Sequence, residues 1–294
     1  MTAKESKYPR SQSFTIVIFA YIISLSIGCL SLLLIRQEDL ILRLFIADTI
    51  ATVVIFMYSM VYKNSSLYDP FWSVIPPFIA LFWMWVSPND ANIFRQIILL
   101  TLVSLWAVRL TANWARGWQG LQHEDWRYER IASKTGKLYW LVSFLGIHYF
   151  PTVMVFLGCL PLVYTLKSNA PLGLWDLVAS VITLGAILIE TIADEQLKKF
   201  KRQDKSGLMQ TGIWAYSRHP NYFGEISFWL GLYVFLFSTE YTGEWWTGIG
   251  FIVMLILFVF ISVPMMDRRH IEKRPEYEGY IKRVSALIPL PPKK

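Results

Sequence analysis

The chain has 294 residues, 54% of them hydrophobic and only 17% charged, with a mean hydropathy of +0.40. That balance excludes an ordinary soluble domain. The net charge of +7 gathers in loops between apolar runs, which argues against a nucleic-acid partner. Cys29 and Cys159 both lie inside apolar runs, so neither a disulfide framework nor a thiolate metal site is expected.

Nearly charge-free blocks follow one another at 13–35, 41–62, 71–86, 97–115, 138–165, 172–193, 226–238 and 245–263. A bilayer core about 30 Å thick needs about 20 residues of helix, and the blocks at 71–86 and 226–238 fall short. The first block is too long for a signal peptide, lacks a small-residue cleavage site and is followed by more apolar blocks, so it reads as a span. Lys and Arg cluster at 116–137 (five), 198–219 (six) and 266–294 (eight), while 239–244 has none. The positive-inside rule places the three basic regions on the cytoplasmic face. Counting back brings Lys4, Lys7 and Arg10 to the same side. The pattern predicts eight spans with both termini cytoplasmic, or seven if 71–86 is re-entrant.

The expected class is therefore all-α, a polytopic integral membrane bundle of seven to eight helices capped by a cytoplasmic loop and a C-terminal helix. The chain reads as one domain over 1–294. Its first part, 1–137, is mostly lipid-embedded and suits an apolar substrate. The second, 138–294, carries the polar cap and suits a polar ligand. The "PLPPKK" end reads as extended and solvated.

Along the chain, the first chemical candidate is "SLYDPFWSVIPP" at 66–77. Asp69 sits at the mouth of an apolar block beside Tyr68, and Pro70 and Pro76 limit regular helix there. In a low-dielectric pocket an aspartate holds its proton longer, so an Asp69–Tyr68 pair suits donating a hydrogen bond to an acceptor oxygen. Arg109 is a charge inside an apolar block; it either faces a cavity or snorkels to the interface. The loop "HEDWRYERI" (123–131) offers Asp125, Arg127 and Tyr128 as covers for phosphates, or is simply solvated. His148, mid-block, reads as a satisfied core histidine. No H-E-x-x-H motif supports metal catalysis.

In "ETIADEQLKKFKR" (190–202), Glu190, Asp194, Lys198 and Lys201 share one helical face. The lysines equally suit lipid phosphates, but carboxylates at a membrane boundary require a partner. "SRHPNYFGE" (217–225) follows. Pro220 suits the first turn of a helix capped near Ser217 or His219, whose free amides form an anion site that Arg218 reinforces. Asn221 and Glu225, one turn apart, suit a carboxamide or ribose hydroxyl, and Gly224 suits a ring lying close to the backbone. Finally, Asp267 and His270 are three apart, as are Tyr277 and Tyr280, on one expected amphipathic helix near 265–284, which either re-covers the cap or lies on anionic lipid.

The run "W-x3-RHPNYFGE", preceded by a helix of acidic and basic residues and followed by "Y-x2-Y-x3-V-x3-IP", resembles the steroid 5α-reductase C-terminal family of membrane NADPH-dependent reductases. It is more loosely similar to sterol Δ14-reductases and isoprenylcysteine carboxyl methyltransferases. The likeness is good over roughly 185–290 and weak before it. It implies that Asp194, Lys198 and Lys201 hold the adenosine and phosphate end of NADPH, and that Leu208 and Trp214 wall it. It further implies that Asn221 and Glu225 meet the nicotinamide side, beside Arg218, His219 and Tyr222, under Asp267, His270 and Tyr277. Arg109 matches a helix arginine of that family. Asp69 with Pro76 reproduces a carboxylate–proline spacing, with Asp where better-studied members carry Glu. The family's tyrosine partner falls near Trp106, which has no hydroxyl; Tyr68 is the substitute. There is no G-x-G-x-x-G after a strand, so a dinucleotide must be held by helices.

The resemblance thus implies reduction of the C=C bond of an apolar enone of the 3-oxo-Δ4 steroid type. NADPH would bind from the cytoplasm, and a steroid-like substrate would enter from the bilayer of a bacterial inner membrane or its equivalent. No obligate protein partner is evident. An S-adenosylmethionine-dependent membrane methyltransferase and a non-catalytic sterol- or lipid-binding protein remain as alternatives.

Overall fold

The computed structural model describes residues 8–203 and 207–293; Lys4 and Lys7 lie outside the described residues. α1 (Arg10–Leu34) and α2 (Leu40–Tyr62) are followed by a short α3 (Phe71–Trp85) and a long α4 (Ile93–Gly117). α5 (Trp126–Thr135) continues through α6 (Tyr139–Ser143), a π-helical turn at Phe144–Tyr149, α7 (Phe150–Gly158) and α8 (Leu160–Thr165). α9 (Leu174–Arg202) and α10 (Pro220–Val234) come next. α11 (Ile249–Ile256), a second π-helical turn and α12 (Val263–Lys273) lead to α13 (Tyr277–Arg283). No strand forms among the described residues. The chain is a polytopic helical membrane protein.

Among the described residues, six helical runs are long and apolar enough to cross a bilayer: α1, α2, α4, Trp126–Thr165, α9 and Thr242–Lys273. The two blocks that are short in the sequence form α3 and α10, of 15 residues and so about 22 Å each. The chain divides into two compact units interleaved along the sequence, 1–81 with 110–156, and 82–109 with 157–294. The division at 137/138 drawn on composition falls inside the first unit.

In the first unit, small residues let α1 and α2 approach closely. Gly28 lies against Ala47 and Ala51, and Ser24 donates to the Ala51 carbonyl at 2.7 Å. Asp39 caps α2, accepting from the amides of Ile41 and Leu42. Lys63 ends that helix in the left-handed region (φ 51°). The turn that follows is fastened at several points. Asn64 donates to the carbonyls of Leu121 and His123, and the amides of Ser65 and Asp125 donate to Glu124 and Ser66 respectively. His148 is fully buried between the Ser143 carbonyl and Ser59 Oγ, both at 3.0 Å, as a core histidine should be.

In the second unit, Arg95 has no exposure. It forms a two-pronged pair with Asp176 at 2.8 and 3.0 Å and also donates to the carbonyls of Ala170, Pro171 and Ser238. α10 lies against α9 through glycines. Gly231 faces Thr183, and Gly224 faces Glu190 Cγ and the Ala186 carbonyl. The expectation that Gly224 admits a ligand ring is therefore corrected: the space left by its missing side chain is filled by Glu190.

The C-terminal helix expected near 265–284 is two helices. Pro275 lies in the break between α12 and α13, where it cannot donate into a continuing ladder. Beyond α13 the chain is extended and largely exposed, yet its backbone is tied down. The amides of Arg218 and His219 donate to the carbonyls of Ser285 and Ala286 at 2.8 and 3.1 Å, and the Leu290 amide donates to Tyr216 O at 3.0 Å.

Candidate functional site

α10 begins as the sequence indicates, with His219 as its N-cap and Pro220 in its first turn. A cavity of about 360 Å³ opens beside that start in the second unit. Lys201, Leu208, Trp214, Arg218, His219, Asn221, Tyr222, His270, Tyr277 and Tyr280 line it, so ten of the residues singled out in the sequence share one hollow. Its walls are flat rings: His219 stacks on Tyr222 (5.2 Å, 9°), and His270 on Tyr277 (4.8 Å, 24°). Trp214 is fixed by an indole hydrogen bond to the Ala193 carbonyl at 3.1 Å. Three polar groups on the lining have no side-chain partner among the described residues: the Lys201 ammonium, the Arg274 guanidinium and the half-buried Asn221 amide. A hollow with aromatic walls, two open cations and one amide is chemically suited to a flat, anionic molecule carrying hydrogen-bonding groups.

Arg218 lines the cavity with its guanidinium already engaged by protein groups. Its guanidinium pairs with Asp267 (2.8 Å to Oδ2) and donates to the carbonyls of Ile281 and Val284. Asp267 Oδ1 also takes His219 Nε2 at 3.0 Å and the Tyr277 hydroxyl at 2.9 Å. Arg218 and Asp267 thus brace the cavity wall against the last turn of α13, with Arg218 still on the lining. The Tyr280 hydroxyl donates to the Trp214 carbonyl. Burial pushes the phenols of Tyr277 and Tyr280 well above their ordinary range, so both remain donors.

Five further sequence candidates, Arg109, Glu190, Asp194, Lys198 and Glu225, lie off that lining. Arg109 pairs with Glu190 and Asp194 (3.2 Å to the latter) and lies 3.8 Å from Glu225. Glu225 also accepts from the indoles of Trp106 (3.1 Å) and Trp229 (2.9 Å). Lys198 lies 3.6 Å from Glu195. Glu225 is thus turned into a buried charge cluster, and Asn221, a turn earlier, is the one of the pair that faces the cavity. Their expected common orientation is corrected.

In the first unit, Asp69 accepts from the Tyr128 hydroxyl at 2.5 Å. Tyr68 instead bonds Thr152 Oγ1 at 2.7 Å. Asp69 is therefore partnered by Tyr128 rather than Tyr68, and Asp125 caps α5 through the Arg127 amide at 2.8 Å. Removal from water pushes the Asp69 carboxyl up to about 7, against the lowering effects of Arg127 and of the Tyr128 hydrogen bond. Folding takes up a proton at Asp69 between about pH 4 and 7, so this group's contribution to stability falls as pH rises through that window. Below about pH 7 it is mainly a carboxylic acid able to donate.

Sequence reasoning missed Arg274 as a cavity cation and Tyr128 as the partner of Asp69. For Arg274 the signal was the basic run itself, but its register was hidden by the break at Pro275. The family model described as "Protein of unknown function (DUF1295)" matches residues 55–284. The chain belongs to this family. The matched stretch of the DUF1295 chain contains every site residue from Tyr68 to Tyr277. The chain is also similar to "Uncharacterized protein C594.04c" of Schizosaccharomyces pombe (strain 972), at 25% identity over 252 residues, 77% of this chain and 73% of that protein. No solved structure matches.

Proposed function

We propose that this DUF1295 protein is a membrane oxidoreductase that uses NADPH, bound from the cytoplasmic face, to reduce the C=C bond of an apolar enone such as a 3-oxo-Δ4 steroid. The observation that carries the reading is the aromatic cavity whose open polar groups are Lys201, Arg274 and Asn221. DUF1295 proteins are related to steroid 5α-reductase-like membrane proteins, which adds support. In this reading Lys201 and Arg274 hold phosphates, Trp214, Tyr222 and Tyr277 wall the rings, and Asn221 orients the carboxamide. When bound, NADPH supplies the hydride that adds to the enone β-carbon, with a proton completing the α-carbon. Asp69, steadied by Tyr128, donates a hydrogen bond to the ketone oxygen and draws electron density away from the β-carbon.

The direct test is to purify the protein in detergent and identify what it holds, by the near-ultraviolet absorbance of a reduced nicotinamide and by mass spectrometry. Retained or titratable NADPH is expected. Bound S-adenosylmethionine, or no binding at saturating NADPH, overturns the reading. Replacing Lys201 and Arg274 together by Gln is expected to weaken NADPH binding by about tenfold or more at low salt, with the difference shrinking as salt is added. An unchanged affinity would assign these cations to lipid.

Asp69 gives a pH signature. Since the donating form is the protonated one, turnover is expected to fall about tenfold per pH unit above about pH 7. In Asp69→Asn, whose amide does not titrate, the profile should be flat at a lower kcat with NADPH affinity kept. A profile still falling in that variant removes Asp69 from the chemistry.

A further inference from the structure

α10 brings Asn221 and Tyr222 to the cavity from its first turn, yet that turn lacks the usual fastening. His219 is the N-cap, and its side chain accepts from no amide of the helix; its Nε2 is bonded to Asp267 instead. Pro220 brings no N–H at all. A helix start without a side-chain cap frays unless another group holds it.

What holds it comes from the far end of the chain. The amides of Arg218 and His219 donate to the carbonyls of Ser285 and Ala286, and the Leu290 amide donates back to the Tyr216 carbonyl. The Ser217 hydroxyl donates to the Ala286 carbonyl at 3.3 Å, and Ser217 and Ser285 form an isolated parallel bridge. Each of the four residues from Tyr216 to His219 is thus bonded to the segment 285–290, and always to its main chain. The segment itself is not part of a core. No side chain from Ser285 to Lys293 is buried, and Ile288 and Leu290 are more than half exposed. A segment that buries no apolar side chain adds little to stability through the hydrophobic effect. Its bonds act on geometry: they fix the direction in which the chain enters Pro220, and so where Asn221 stands two residues later.

We propose that the segment 285–290 serves as the cap of α10 and as the positioning element of the cavity, acting through the backbone of Ser285, Ala286 and Leu290. None of these three residues lines the cavity. That the occupant is NADPH rests on the reductase reading; the role of the segment does not.

The experiment uses the full chain in detergent. Leu290→Pro deletes the amide given to Tyr216, at a position that Pro291 already confines to extended backbone. Leu290→Ala removes the exposed side chain and keeps the amide. Without nucleotide, backbone hydrogen exchange is followed at Phe223, whose amide donates to the His219 carbonyl in the first turn of α10. Exchange there is expected to be about threefold or more faster in Leu290→Pro and unchanged in Leu290→Ala, with the unfolding temperature of both kept. Equal exchange in the two variants, or a gain matched by a fall in unfolding temperature, overturns the proposal. NADPH is then titrated, and an affinity weakened by about threefold or more is expected in Leu290→Pro alone. If the unsubstituted protein binds NADPH and Leu290→Pro binds it equally well, the positioning role is refuted. If the unsubstituted protein binds none, the reductase reading fails and the exchange result alone decides the segment. Should Leu290→Pro fail to fold, Ser217→Ala removes the hydroxyl bond to Ala286, and an unchanged Phe223 rate in that variant refutes the cap.

Discussion

Asn221→Ala will lower enone reduction by about a hundredfold or more in kcat/KM while leaving thermal unfolding within the range of an ordinary surface substitution. The Asn221 side chain is half-buried, faces the cavity and has no protein partner among the described residues, so truncation removes no internal hydrogen bond. What it removes is a paired donor and acceptor one residue beyond Pro220, where the helix start makes the position rigid. Loss of one oriented group is worth a few kcal/mol in the transition state, far more than its share of folding stability. Asn221→Asp sharpens the test. It keeps the size but sets a carboxylate where an anionic cofactor binds, so NADPH affinity should fall as well. Normal turnover in the alanine variant would detach the cavity from the chemistry. A loss matched by unfolding would show a structural role instead.

The features legible in the sequence were those set by near neighbours. Apolar blocks of span length produced the long helices, because a membrane helix satisfies its backbone within itself. Pro220 announced the start of α10, because its ring suits only that turn. His148 was read correctly as buried and satisfied. What stayed hidden depends on partners far away in sequence. Asp69 and Tyr128 are 59 residues apart, Trp106 and Glu225 are 119 apart, and no periodicity links them. Gly224 gave a true signal of close approach, but a glycine cannot say whether a ligand or a neighbouring helix fills the space, and here it is Glu190. Asp48 was concealed by its setting: one carboxylate among so many apolar residues barely alters a hydropathy reading, although it is the most expensive residue of α2 to bury.

The other large effect concerns Arg109, whose side chain is 11% exposed and shared among Glu190, Asp194 and Glu225. Arg109→Met is expected to destabilise the protein by about 3–5 kcal/mol, since breaking a buried ion pair leaves charge without an answer. Against a typical total of about 5–15 kcal/mol, that loss should show as a sharply reduced yield and a lower unfolding temperature in detergent. Arg109→Lys keeps the charge but cannot reach three carboxylates with one planar fork, so an intermediate loss is expected. The causal step is checked by a double substitution. If the damage comes from stranded carboxylates, adding Glu190→Gln to Arg109→Met should restore part of the stability, a coupling that independent sites would not show. If Arg109→Met unfolds like the unsubstituted protein yet no longer holds NADPH, the arginine belongs to the cofactor rather than to the junction of α4, α9 and α10. In that case Glu225 would be a group held in reserve for the ligand, and the two indoles that bind it would be the part that keeps it aimed.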